Sequence, residues 1–556
     1  MAEYLKFEKS NCMHCYKCIR HCPVKSISFS NEQANVLSEE CVLCGQCLVV
    51  CPQNAKHVRD DLKSAKHLVQ AHTVYASVAP SFAANYDGAS FEALRAALQK
   101  LGFAGAEETA IGATMVKNRY IEIMQNEEQQ VIISSCCPSV NMLIQKHHPE
   151  ALPLIAKVLS PMQAHCRDIK ERHEGAKTIF IGPCISKKAE AEQYAGDVDC
   201  VLTFEELSRW MKDCSVPIEH TPAVETGRAR LFPIAGGILQ TMGAPVGNYR
   251  YLCVDGIQNC VQAIKEAAQG SIGPCFIEMS ACTGSCVGGP AIEPDKHNLL
   301  KNTLITQQSA ARQDYAAKKA TAQALKKPIE YYSIKHQYPG KGAIEEVLKR
   351  IGKTKPEDEL NCSSCGYETC REKAAAVLMG KAELSMCLPY LMEKAQSFSD
   401  HIIKNMPNGI IVLNEKLQIQ QLNSAAKEIL NLRSKDEVLG RDVICVLDPS
   451  LFVEALEAGK PITERKVYLA EYQKYVRYTV IYDANFHILI TIMRDVTQAE
   501  RSQARKEEVA NQTIALTDKV IEKQMRAVQE IASLLGETTA ETEIALTRLK
   551  ETLRHE

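Results

Sequence analysis

The chain has 556 residues, 65 basic and 67 acidic side chains and a formal net charge of −2, so no global field points to nucleic acid or to an anionic membrane surface. That length exceeds what one core supports and predicts about three to five domains. No run approaches the roughly 18 apolar residues of a spanning helix, the nearest being the short segment Phe486–Met493, and the opening MAEYLKFEKSNC lacks the apolar stretch of a secretory signal; a cytosolic location is expected.

Twenty-four cysteines in a reducing compartment do not form a disulfide framework. Seventeen fall into regularly spaced sets of eight, five and four. The other seven (Cys166, Cys200, Cys214, Cys253, Cys260, Cys275 and Cys445) are scattered, and each is expected to be a small buried hydrophobe.

Residues 1–60 hold Cys12-MH-Cys15-YK-Cys18-IRH-Cys22-Pro23 and then Cys41-VL-Cys44-GQ-Cys47-LVV-Cys51-Pro52. Zinc sites usually pair two C-x₂-C elements and need neither the third in-phase cysteine nor the proline. The doubled run instead resembles the bacterial two-cluster ferredoxins, in which the fourth cysteine of each run binds the other cluster. One [4Fe-4S] cluster is therefore expected on Cys12, Cys15, Cys18 and Cys51, and a second on Cys41, Cys44, Cys47 and Cys22. Two adjacent clusters in a small module serve electron transfer.

A polar helix over about 60–71 leads into an α/β region over 73–300. Short β-rich runs at Thr73–Val78, Val131–Ser134, Lys177–Ile181 and Val198–Thr203 alternate with amphipathic stretches such as Phe91–Leu101 and Phe204–Lys212, which predicts parallel sheets covered by helices. Several of these strands end in a chemically loaded loop, and the carboxyl ends of parallel strands are where α/β folds place their sites. The cysteine loops are SSCCPSV (134–140), GPCISKKAE (182–190) and EMSACTGSCVGGP (278–290). Together with Ala79-Pro80-Ser81, Ser160-Pro161-Met162-Gln163, the run Asp197–Thr203 and Gly236-Gly237, they resemble, in order, the motifs of the [FeFe]-hydrogenase catalytic domain.

That resemblance implies that Cys137, Cys184, Cys282 and Cys286 hold a cubane. Cys286 would also bridge to a diiron subcluster with CO, cyanide and a dithiolate, the two parts forming the H-cluster. It implies cyanide or diiron contacts for Lys187, Ser81 and Gln163, and proton transfer by Cys136, which precedes a ligand without being one. Soft thiolates suit iron–sulfur iron, and a thiol with an ordinary pKa of about 8.5 can accept and donate near neutrality. The departures matter as much. Gly182 and Ser280 stand where active family members carry methionine, Val140 replaces a tryptophan, and Ala156 stands where a relay serine is expected. Between Ile111 and Tyr120 (IGATMVKNRY) none of the family's relay glutamates is present. The expected site is retained but detuned, with low turnover.

A Lys/Ala-rich helix is expected over about 308–326. Cys362-SS-Cys365-GYET-Cys370 followed by Cys387 resembles the single-cubane domain of redox and corrinoid iron–sulfur proteins, giving a third [4Fe-4S] site in a domain at 327–395. Residues 399–496 read as helix, turn at Pro407-Asn408-Gly409, strand, hairpin turn near 414–416, strand, and a helix opening at Asn423. Three further strands follow, Ile462–Leu469, Tyr475–Tyr482 and Ile488–Asp495. This order resembles a PAS sensor domain, with no His or Cys standing out for haem or flavin attachment. In the tail, 497–556, Ile521, Met525, Val528, Ala532 and Leu535 step 4-3-4-3, a heptad seam for a parallel two-stranded coil. Gly536 is expected to break it before a second short helix over about 540–553.

The expected fold class is multidomain α/β and α+β: a ferredoxin-like two-cluster module, a two-lobed α/β hydrogenase domain, a small single-cubane domain, a PAS domain and a coiled-coil helix. Three functions fit. One is a sensory [FeFe]-hydrogenase that handles H₂ and protons slowly, dimerises through PAS and coil, and signals to a partner such as a Ser/Thr phosphatase or kinase. Another is an ordinary hydrogenase coupled to a redox partner such as ferredoxin. The third is a hydrogenase-like iron–sulfur carrier holding cubanes alone.

Overall fold

A computed structural model describes residues 4–7, 11–219, 227–270, 272–334 and 338–552. They divide into two units, the first ending at Leu391 and the second beginning at Met392.

In the first unit, the amino-terminal cysteine runs fold by alternating backbone handedness. The residues on either side of the second cysteine are left-handed, His14 and Tyr16 in one run (φ 50° and 54°), Leu43 and Gly45 in the other (φ 54° and 73°). Each run then closes in one helical turn, Lys17–Arg20 and Gln46–Val49. A left-handed residue with a side chain costs roughly 1–2 kcal/mol, and strain of that kind persists where the surroundings over-determine it, as at ligand clamps. The hairpin Ile27–Ser30 and Gln33–Val36, and the antiparallel pair Leu5–Phe7 with Lys56–Val58, complete the module.

The α/β region forms two parallel sheets. One has four strands in the order Gly105–Glu108, Val74–Val78, Lys177–Gly182, Cys200–Thr203; the other has three, Arg250–Asp255, Cys275–Ser280, Val131–Ile133. Lys177–Gly182 and Cys275–Ser280 are almost wholly buried along their length, as expected of parallel strands covered on both faces. Local signals start the helices: Ser90 accepts from Ala93 N to cap Phe91–Lys100, and Thr203 forms a capping box with Glu206. The loops that matter all leave strand carboxyl ends. Ala79–Ser81 and Cys184 come from the four-stranded sheet, Cys136–Cys137 and Cys282 from the three-stranded one.

The segment after the helix Leu299–Gln308 is not the expected helix over 308–326. It runs as a strap tied down by distant partners: Arg228 N donates to Gln313 O at 2.7 Å, Lys117 pairs with Asp314 at 2.5 Å, and Leu159 N donates to Leu325 O at 2.8 Å. Those long-range bonds outweigh the helix preference of its Lys and Ala residues.

The scattered cysteines split. Cys166, Cys200, Cys260 and Cys275 are buried as expected, but Cys214, Cys253 and Cys445 are exposed. Cys214 caps the surface end of the helix Phe204–Asp213, Cys253 lies on the edge strand of its sheet, and Cys445 ends a short 3₁₀ turn.

The second unit is a five-stranded antiparallel sheet, in the order Ile419–Leu422, Gly409–Asn414, Ile488–Asp495, Lys474–Asp483, Ile462–Leu469. Asn423 organises its start: fully buried, it accepts from Ile410 N and Ala426 N and donates to Ile403 O and Asn408 O, all within 3.0 Å. It thereby caps Ser424–Ile429 and fixes the end of the helix Leu388–Asn405. Beyond the sheet a single helix runs Thr497–Thr552. Gly536 does not interrupt it; one interior glycine costs about 1 kcal/mol, too little to end a helix with strong formers on both sides. The seam residues Ile521, Met525, Val528 and Leu535 are all more than half exposed. Among the described residues no helix is long and apolar enough to cross a membrane.

Candidate metal centre

Cys137, Cys184, Cys282 and Cys286 line one cavity, together with Cys136, Ser81, Lys187 and Ser280. Cys137 stands at the N-cap of the helix Pro138–His147, and Cys286 in the 3₁₀ turn Ser285–Gly288. That turn needs its glycine: Gly284 is left-handed (φ 76°), and a Cβ there would stand 1.9 Å from Leu299 Cδ1. Burial pushes the Cys137, Cys282 and Cys286 thiols up, and neighbouring thiols of the set push them further. Thiols raised in this way ionise together only around a strongly cationic, thiophilic centre.

Cys136 lies 3.3 Å from Tyr120 Oη, which also lies 2.9 Å from Ser135 Oγ. Burial lifts the Cys136 thiol to about 12, against the Tyr120 hydrogen bond. Lys187 is buried, not a solvated surface lysine. Its ammonium donates to Cys136 O at 3.3 Å and pairs with Glu190 at 2.6 Å. Glu190 also accepts from Ser160 Oγ at 3.0 Å and pairs with buried Lys327. Burial lowers the Lys187 ammonium's pKa, but Glu190, with Cys184 and Cys136, raises it, and the net shift is upward, so it stays charged.

Ser81 Oγ and Gln163 Nε2 are buried and have no hydrogen-bond partner. Each such atom costs about 1–3 kcal/mol, and Ser81 lines the cavity. Thiols, a buried ammonium and the orphaned Ser81 hydroxyl around one space fit an iron–sulfur group that carries further acceptor ligands.

The replaced positions have structural counterparts. A Cβ at Gly182 would stand 2.8 Å from Phe180 Cε1 and 3.0 Å from Ala79 Cβ, so Phe180 fills the room a longer side chain would need. Ser280 O accepts from Gly256 N at 3.0 Å and from Cys260 Sγ at 3.3 Å. Val140 and Ala156 are fully buried in the apolar core. Sequence reasoning missed Glu278, which lines the cavity. Burial lifts its carboxyl to about 7, although the N–H groups of residues 236–239 oppose this. Its place four residues before Cys282 was the available signal.

In the amino-terminal module, Cys12, Cys15 and Cys18 line one small cavity with Cys51, while Cys22 lines a second with Cys41, Cys44 and Cys47. Cys44 also lines the main cavity. Beside it, a Cβ on Gly45 would stand 2.5 Å from Pro290, at the end of the Cys282–Cys286 loop. The third set lies elsewhere. Burial lowers the pKa of the Lys373 ammonium, which feels opposing charge from Cys387, Cys365 and Cys370, while Cys362 is exposed. This segment docks on the amino-terminal module. Arg20 donates to Ser363 O and Ser364 O, both at 3.3 Å, and Lys25 donates to Gly366 O at 3.1 Å. Lys381 pairs with buried Glu40 at 2.6 Å.

Comparison with known proteins divides the chain in the same way. The family described as iron only hydrogenase large subunit, C-terminal domain, matches residues 72–249 and 242–290. A 4Fe-4S dicluster domain matches 4–52, a putative Fe-S cluster domain 358–389 and a PAS fold 397–496. The chain is similar to iron hydrogenase 1 of Clostridium pasteurianum, 23% identical over 429 residues that span 62% of this chain and 75% of that one. It is also similar to the cytosolic Fe-S cluster assembly factor NAR1 of Yarrowia lipolytica, 22% identical over 233 residues, 35% of this chain and 48% of that one. Among solved structures, a [FeFe]-hydrogenase of Chlamydomonas reinhardtii is 16% identical, covering 46% of this chain and 91% of that one with a TM-score of 0.37. The PAS domain of nitrogen regulation protein NR(II) from Vibrio parahaemolyticus is 22% identical, covering 17% and 96% with a TM-score of 0.16. The chain is a hydrogenase-like iron–sulfur protein in which an iron-only hydrogenase domain is joined to a 4Fe-4S ferredoxin domain and a PAS domain.

Proposed function

We propose that this chain is a sensory [FeFe]-hydrogenase of low turnover. The observation that carries the reading is one cavity lined by four ligand thiols, Cys136, Lys187 and the unpartnered hydroxyl of Ser81. Cys137, Cys184, Cys282 and Cys286 would hold the H-cluster, whose diiron part supplies reversible heterolysis of H₂. Ser81, Gln163 and Lys187 would donate to its polar ligands, and Cys136 would hold the proton nearest to it. Cys12, Cys15, Cys18 and Cys51, then Cys41, Cys44, Cys47 and Cys22, would carry two [4Fe-4S] clusters, and Cys362, Cys365, Cys370 and Cys387 a third. Phe180 in place of a longer side chain at Gly182, and Ser280 beside Cys282, support a detuned site. A PAS domain followed by a helix with an exposed heptad seam supports signalling as a homodimer to a separate partner protein, such as a Ser/Thr phosphatase or kinase.

Infrared spectroscopy after maturation with a synthetic diiron complex tests the site: CO and cyanide bands are expected, and their absence sinks it. Potentiometry tests the sensory role, which fails if reduction by H₂ leaves PAS conformation and partner binding unchanged. Turnover at the rate of fast hydrogenases would favour an ordinary ferredoxin-coupled enzyme. Similarity to NAR1 favours a second reading, an assembly factor holding cubanes alone; on that reading this chain shows no CO or cyanide bands.

A further inference from the structure

At Thr109 the wall of the cavity meets a row of polar side chains that leads out of the protein. Thr109 lines the cavity, and its Oγ1 lies 2.7 Å from Ser77 Oγ. Ser77 Oγ lies 2.8 Å from His165 Nδ1, and His165 Nε2 lies 3.3 Å from Glu107 Oε2. Thr109, Ser77 and His165 are 4%, 0% and 0% exposed. Glu107 and its partner Arg172, 2.6 Å away, are 22% and 41% exposed and mark the surface end. The members come from separate elements: Ser77 and Glu107 from neighbouring strands, His165 from the helix Pro161–Arg172.

A brace between strand and helix would account for Arg172, which also pairs with Asp168 at 2.9 Å. It does not require a wholly buried imidazole bonded through both nitrogens, with a hydroxyl on one side and a carboxylate on the other. Nor does it require the row to continue from that hydroxyl to a second one, on Thr109, and stop at the cavity. Every member both accepts and gives up a proton. The relay glutamates expected between Ile111 and Tyr120 are absent, so the cavity otherwise lacks that route to solvent.

We propose that Glu107, His165, Ser77 and Thr109 form the proton path between solvent and the cavity, in place of the missing glutamates; this rests on the hydrogenase reading for its purpose, not for its existence. A proton arriving at Glu107 passes to His165 Nε2 while the imidazole releases its Nδ1 proton to Ser77 Oγ. Ser77 passes its own hydroxyl proton to Thr109 Oγ1, and Thr109 delivers its proton into the cavity that Cys136 faces. One proton enters and one leaves; a change of imidazole tautomer and rotation of two hydroxyls reset the row. H₂ uptake runs it outward. Ser77 and His165 act through Thr109 and are positioning and relay residues, not catalytic ones.

The test uses full-length protein treated with a synthetic diiron complex and followed by infrared spectroscopy. The variants are Ser77→Ala, which cuts the row, His165→Gln, which keeps a polar group without a tautomer to exchange, and the surface variant Glu107→Gln. On transfer to D₂O the S–H stretch of Cys136, assigned by its loss in Cys136→Ala, converts to S–D. Conversion is expected to slow about 100-fold in Ser77→Ala and His165→Gln, with CO and cyanide bands where the unaltered protein has them. Unchanged conversion in all three variants overturns the path. If the unaltered protein shows no CO or cyanide bands, the hydrogenase reading falls separately. The thiol exchange then still decides the path: slowed exchange upholds it and unchanged exchange removes it.

Discussion

Ser81→Ala separates a residue built for a bound group from one built for the fold, because its two effects have opposite signs. Ser81 Oγ is buried without a partner, and the residue is 0% exposed. In the protein without the diiron group, that orphan hydroxyl costs about 1–3 kcal/mol, which alanine removes without opening a large cavity. With the group bound, the same substitution deletes a donor and costs a similar amount, roughly a 5- to 150-fold loss of retention at 1.4 kcal/mol per factor of ten. The assay is built into the chain. Its one tryptophan, Trp210, is 4% exposed and lies in the same apolar core as Ala79 and Phe82, which flank the Pro80-Ser81 pair. Urea unfolding of unmatured protein followed by Trp210 fluorescence should show Ser81→Ala with a midpoint higher by roughly 1 M, given a slope of about 1–3 kcal/mol/M. In matured protein, CO and cyanide bands should fade faster on dilution than in the unaltered chain. A lower midpoint in the unmatured variant, or unchanged retention in the matured one, refutes the assignment.

Three other outcomes follow from packing and charge. Gly182→Met should lower stability by about 1–3 kcal/mol, since its side chain meets Phe180; adding Phe180→Ala should restore much of the loss, read by Trp210 unfolding. Glu278, with its carboxyl lifted from 4.5 to about 7, keeps its proton in the folded chain after the unfolded chain has lost it. Its contribution is therefore full below about pH 4.5 and lost as pH rises through 7, and Glu278→Gln should flatten the urea stability profile of unmatured protein across that window. Asn423→Ala removes four hydrogen bonds from a fully buried position. It should destabilise the second unit by about 2 kcal/mol or more, and hydrogen exchange at the end of the helix Leu388–Asn405 should speed up; unaltered exchange would count against Asn423 as the anchor.

What was legible in the sequence is what local spacing controls. C-x₂-C runs, strand-to-loop junctions and the Asn423 cap write their geometry into neighbouring residues, and the structure places the corresponding thiols around common spaces. The misread strap owes its path to distant partners. The 309–326 strap looks helical by composition, but its ties run to Lys117, Leu159 and Arg228. Cys445 has the neighbours of a core residue in sequence, yet sits on an exposed turn. The Ser77–His165 and Glu190–Lys327 contacts join residues 88 and 137 positions apart, beyond any local pattern.

The Glu190 contacts explain a feature that stability alone does not. Lys187 and Lys327 are both buried against the one carboxylate of Glu190. A buried ion pair gains little over apolar packing, and a second cation on the same carboxylate is less favourable still. Accordingly, burial and the Lys187 charge push the Lys327 ammonium down while Glu190 holds it up. A surplus of buried positive charge beside Cys136 is compensated when the neighbouring cavity carries negative charge, as thiolates and cyanide ligands do. On this argument the triad belongs with Ser81: each is a cost to the empty fold that a bound anionic cluster would offset, and Lys187 and Ser81 both line the cavity that Cys137, Cys184, Cys282 and Cys286 line.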